Sequence, residues 1–154
     1  MATKADFTAE EWELLCSGPA LAGIGVTLLE SGAIADLREL HATAKATAAG
    51  KGEYAESELV QGVLAEAATH DSAHVRHQGM TTDEVLGKLQ QIDQILDKKG
   101  GEIEGIRYKN FLFHVADAAA HASGGFLGLG NKVSDDERTY LAKLKDILFR
   151  DAAA

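Results

Sequence analysis

The sequence predicts an all-α fold, a single-domain bundle of six to seven helices spanning 1–154, and three observations predict it. Helix-start signals recur in one grammar, an apolar residue followed by Ser or Thr and then Glu three positions later. Glycine-rich breaks separate the segments that follow these starts. Apolar residues return at spacings of three and four, and no stretch alternates as a strand between hairpin turns. Composition agrees: 45% of the chain is hydrophobic, yet aromatic residues are 6% and proline occurs once, so Ala and Leu must supply most of the packing.

The first helix opens at "FTAEEW", where Thr8 and Glu11 form a capping box and Phe7 can pack on Trp12. "SGP" at 17–19 reads as its end, with Pro19 opening a second helix that runs to about Glu30. "SGA" breaks the chain again, a third helix covers about Ala33 to Ala48, and "GKG" at 50–52 closes it. The fourth is expected from near Glu53 as far as His77. Thr81 and Glu84 box the start of the fifth, with Met80 set against Val85, and Val85, Leu89, Ile92 and Leu96 mark its buried stripe. "KKGG" ends it, with lysines where the helix dipole favours cations. The sixth runs from about Glu102 to Ala122, and "SGGFLGLGNK" leads to a last helix boxed by Ser134 and Glu137, with Leu141, Leu144 and Leu148 on one face.

Charge and cysteine content narrow the function classes. Asp and Glu number 24 against 15 Lys and Arg, and a formal charge of -9 repels phosphates, which disfavours nucleic acid as a partner. Cys16 is the single cysteine, so no intramolecular disulfide forms, and its apolar surroundings predict a buried, inert thiol. The start "MATKADFTAEEW" turns acidic too early for a secretory signal, and "PALAGIGVTLL" is about half of the ~20 residues a bilayer span needs. A cytoplasmic protein without a transmembrane segment is expected.

The chemistry-bearing residues concentrate in "EAATHDSAHVRHQG", 66–79. On an unbroken helix Glu66, His70, His74 and His77 fall within an arc of roughly 80°, in line with Leu59 and Val63. The sixth helix repeats the pattern, because His114, Asp117 and His121 share a stripe with Ile103 and Ile106. Two such helices facing each other would place His70, His74, His114, Asp117 and His121 around zinc or iron in a bundle core. The competing reading is solvated or hydrogen-bonded histidines near a helix end, with Thr69, Asp71 and Ser72 interrupting the fourth helix. His41 has no comparable neighbours.

The loop "GGFLGLGNK" lacks the lysine and hydroxyl of a phosphate loop and precedes Asp135, Asp136 and Glu137, which would repel an anion. Its Phe126, Leu127 and Leu129 are expected to peg the loop to the bundle or, if exposed, to meet a partner. No nucleophile and base arrangement can be argued from spacing. The expected function is therefore a non-catalytic helical protein mediating protein–protein interaction or self-association, without a cofactor; zinc or iron binding by the fourth and sixth helices is the alternative. The last helix, with Tyr140, Leu141, Leu144, Ile147, Leu148 and Phe149, carries more apolar surface than one face requires, which points to a dimer.

"VADAAAHASGGFLGLGNKVSDDE" and, at the other end, "FTAEEWELLCSGPALAGIGVTLLE" resemble the tellurite-resistance TerB-like helical family and related small bacterial helical proteins. That resemblance implies a cytoplasmic bundle of about seven helices, no established enzymatic activity, and a role in stress-response or membrane-associated assemblies. The acidic and glycine residues that follow the family's Ala-rich helix stand here as "ADAAAHASGG" with a histidine inserted, so the resemblance carries the fold and no functional residue.

Overall fold

The computed structural model describes residues 1–29, 33–69, 80–123 and 133–150, with the backbone alone at 33–41, 68, 69 and 123. A short 3-10 turn, Lys4–Asp6, precedes six helices: α1 Ala9–Thr27, α2 Ala33–Glu53, α3 Glu58–Thr69, α4 Thr82–Lys99, α5 Glu102–Ser123 and α6 Asp135–Leu148. The described residues contain no strand, and the all-α bundle is as the sequence predicts. None of the described helices is long and apolar enough to cross a membrane.

All three predicted capping boxes form. Thr8, Thr81 and Ser134 each accept the backbone amide of the glutamate three residues on, and Glu11, Glu84 and Glu137 return the bond to the cap amide. Phe7 and Trp12 pack with ring centroids 6.0 Å apart, which completes the staple at the start of α1.

The break expected at Pro19 does not occur: α1 runs straight through it. A proline inside a helix removes the N–H that would satisfy the carbonyl four residues back, here that of Leu15. The buried Tyr108 hydroxyl, reaching in from α5, donates to that same carbonyl oxygen and replaces the missing donor. Gly18 makes the approach possible, since a Cβ there would stand 2.5 Å from the Tyr108 oxygen. One heptad later the arrangement repeats, with the Tyr140 hydroxyl of α6 donating to the Ala22 carbonyl at 3.0 Å across Gly25, where a Cβ would collide with the phenol ring.

These notches explain why α1 is the centre of the bundle. It packs against each of the other five helices, and its residues from Leu21 to Val26 are buried without interruption. A helical stretch such as Leu21 to Val26, with no polar side, cannot sit at a surface.

The expected fourth helix starts later than Glu53 because 54–57 turn. Ser57 then caps α3, its hydroxyl accepting from Val60 N at 3.2 Å and donating to Glu104 of α5 at 2.7 Å. Gln61 closes the other side, its amide donating to the carbonyls of Gly50 at 3.2 Å and Tyr54 at 2.9 Å at the end of α2. The stripe of α6 is also rotated from the one expected: Glu137, Tyr140, Leu144 and Leu148 are buried, and Leu141, Ile147 and Phe149 lie half-buried against the core. Part of the apolar surplus of this helix is thus taken up by packing within the chain.

Candidate functional site

The sixth helix of the sequence reading is α5, and its histidines do not point where that reading placed them. Ile103 is 66% exposed and Ile106 50%, and His114 and His121 are exposed on the same side. The stripe is real but faces outward. The opposite face, with Tyr108, Phe111, Leu112, Val115, Ala116, Ala119 and Ala120, is buried, and seven apolar residues outweigh two isoleucines near the helix start. On the helix of His70, Leu59 and Val63 are buried as expected. Glu66 accepts from Lys4 Nζ at 2.8 Å and Trp12 Nε1 at 3.4 Å. His70, His74 and His77 lie outside the described residues, as do Asp71, Phe126, Leu127 and Leu129, and the side chain of His41 is not described either.

His114, Asp117 and His121 border a groove of about 370 Å³ between α2 and α5. Its apolar floor is Ala46, Ala49, Phe111 and Ala118, and Glu53 completes the rim. Small alanines on α2 hold the two helices close while leaving this hollow. Tyr54, from the turn after α2, lies edge-on to Phe111 with centroids 5.6 Å apart and places its hydroxyl 2.6 Å from His114 Nδ1. Tyr54 and Glu53 had no motif to reveal them in the sequence, because Glu53 is the last residue of α2 and Tyr54 opens the turn that follows it.

Each histidine is held by its own hydrogen bond. Burial, aided by the charge of Glu53, pushes the Tyr54 phenol above its ordinary value, so the phenol keeps its proton beside His114 Nδ1. His121 Nδ1 lies 2.8 Å from the Asp117 backbone carbonyl, which can accept only, so that nitrogen donates. Asp117 Oδ1 sits 3.4 Å from the same nitrogen. The two rings are seven residues apart, about 10.5 Å along the axis, each tied to its own anchor.

Among the described residues no three His, Cys, Asp or Glu side chains converge on a point that would hold a metal ion. The remaining ionisable groups of the interior are held in fixed forms. Burial pushes the Cys16 thiol up to about 11, where little thiolate exists near neutrality. Glu104, 3% exposed, is pushed up by burial, but the Ser57 hydroxyl, the Leu59 amide at 3.2 Å and the Arg107 guanidinium at 3.1 Å bring it below its ordinary value. Lys109 lies between Asp93 at 2.7 Å and Asp97 at 2.6 Å, and against the effect of burial they raise its pKa. These are staples between helices, legible only once α5 is seen against α3 and α4.

The chain matches no family model, no curated protein and no solved structure in comparisons with known proteins.

Proposed function

We propose that this protein is a non-catalytic, cytoplasmic helical protein that acts by protein–protein interaction, through the outer face of α5. The observation that carries the reading is the pair Ile103 and Ile106, set one turn apart and both at least half exposed. Among the residues whose side chains are described, the other large hydrophobics are buried or partly buried, apart from Met1. Two neighbouring isoleucines in water are a cost that a covering partner removes. The fixed protonation of Cys16, Glu104, Tyr54 and Lys109 supports a binding role over proton-transfer chemistry. The resemblance of "VADAAAHASGGFLGLGNKVSDDE" to the TerB-like family, without established enzymatic activity, points the same way.

A photo-cross-linking side chain placed at 103 or 106, with 83 on α4 as the control position, tests the reading in cells that make the protein. The expected result is a discrete protein adduct at 103 and 106 and none at 83; equal labelling at all three positions, or none, overturns it. Metal content by mass spectrometry on protein purified without a histidine tag tests the zinc or iron alternative. Stoichiometric metal lost in the His70→Ala, His114→Ala variant would replace the interaction reading with a metal-binding one.

A further inference from the structure

We propose that the partner of this face is a basic amphipathic helix lying along the outside of α5, its apolar residues covering Ile103 and Ile106 and a Lys or Arg entering the α2–α5 groove between Glu53 and Asp117. The inference rests on the interaction reading above and adds the chemistry and layout of the partner.

Helical spacing defines the surface. Ile103, Ile106, Asn110, Phe113 and Asp117 recur at intervals of three and four and fall within about 80° of the helix circumference. Such a row, about 21 Å long, is the shape that a second helix covers. Its apolar part is confined to the first half, because Phe113 is already edge-on to Phe149 of α6, with centroids 6.3 Å apart. Its second half is polar and hollow, since Asp117 and His121 open there onto the groove with its alanine floor.

Charge selects the sign of the occupant. Glu53, Glu56 and Glu102 are exposed around this face, and Asp117 is half exposed. Of the nearby cations, Arg107 is engaged by Glu104 and Glu56 and Lys109 by Asp93 and Asp97, while Lys45 and Lys51 stand exposed on α2. Glu53 and Glu102 have no cationic partner within 4 Å among the described residues. A second copy of the chain would set the same carboxylates against themselves, under a formal charge of -9 each. Ile106 and Asp117 are eleven residues apart, about 16 Å, so the partner's cation stands three turns from its apolar pair.

The probe is an Ala-rich helical peptide of about 20 residues with two leucines one turn apart and two lysines three turns away, beside the same peptide with glutamates for the lysines. Binding is read by chemical shifts of the labelled protein. The expected outcome is saturable binding of the lysine peptide, with shifts on α5 and Ala49. It weakens at least tenfold in Glu53→Gln, Asp117→Asn and in Ile103→Ser, Ile106→Ser, and less than twofold in Glu13→Gln, Asp83→Asn, which removes equal charge elsewhere. Equal binding of both peptides, lost in the isoleucine variant alone, would overturn the basic partner and leave the interaction reading standing. Lysine-peptide binding that falls equally in the control charge variant would reduce the effect to net charge and overturn the inference. Binding of neither peptide overturns this docking face, and concentration-dependent dimers abolished by Ile103→Ser, Ile106→Ser would assign it to a second copy.

Discussion

On the inner face of α5, Tyr108, Phe111, Leu112, Val115 and Ala119 are buried to within 1% of their surface, whereas on the outer face Ile103 and Ile106 keep half or more of theirs. Both rows have helical spacing, and both contain apolar residues in sequence. What separates them is the opposite wall. The inner row meets α1, whose glycines let ring hydroxyls reach backbone carbonyls; the outer row meets only the shallow groove against α2 and the edge of α6. Periodicity therefore shows that a face exists, and the size of the matching surface determines which face is buried.

Substitutions on the two faces should separate most at the core. Leu112→Ala, wholly buried, is expected to lower stability by about 2–5 kcal/mol, measured as a shift in the urea midpoint at constant slope. A loss below that range would mean that α1 and α5 are less tightly joined than their packing implies.

Glu104→Gln comes next, removing a charge that receives bonds from Ser57, Leu59 and Arg107, with an expected loss of about 1.5–3 kcal/mol at neutral pH. Because the folded carboxyl titrates below its unfolded value near 4.5, its contribution is present above that pH and disappears as pH falls through the folded value. The gap between wild type and variant should therefore close on acidification, and a constant gap would refute the charge-based account.

Gly18→Ala is expected to cost about 1–3 kcal/mol by forcing Tyr108 off the Leu15 carbonyl. Tyr108→Phe should cost about the same by leaving that carbonyl without a donor beside Pro19. Both damage one contact, so the double variant should lose clearly less than the sum, and full additivity would separate the glycine from the tyrosine. At alkaline pH, burial raises the Tyr108 and Tyr140 phenols well above their ordinary value of 10.0. Their contribution is intact below about pH 10 and is lost as pH rises toward the folded values. Tyrosinate absorbance from Tyr108 and Tyr140 should accordingly appear with unfolding, leaving partly buried Tyr54 to titrate in the folded protein, and titration of all three tyrosines in the native state would contradict it.

The smallest effect belongs to the outer face: Ile103→Ser, Ile106→Ser should leave stability within about 0.5 kcal/mol, by thermal or urea unfolding. A large loss would make these residues part of the fold and remove their availability to a partner.

Much of the architecture was legible because its signals are local. Thr8, Thr81 and Ser134 cap with the glutamates predicted for them, and Val85, Leu89, Ile92 and Leu96 are buried as their spacing implies. Pro19 misled because the donor it removes is supplied here by a distant group, and Tyr108 is 89 positions away in the chain. Of the candidate site, His114, Asp117 and His121 do lie together on one groove, but Tyr54 and Glu53, which set its hydrogen bonding and charge, come from another helix end. The outward direction of the histidine stripe was equally hidden, since a period of 3.6 describes a face without saying what covers it.

The amino-acid order by itself determined the helical class, the caps and the acidic surface, because each depends on residues within a few positions of one another or on composition alone. Tertiary structure decided that α1 stays whole, that α5 turns its histidines and two isoleucines outward, and that buried Glu104 and partly buried Lys109 become staples between helices. Those outcomes depend on competition between surfaces from distant parts of the chain, and the larger apolar area with its carbonyls and carboxylates satisfied takes the interior.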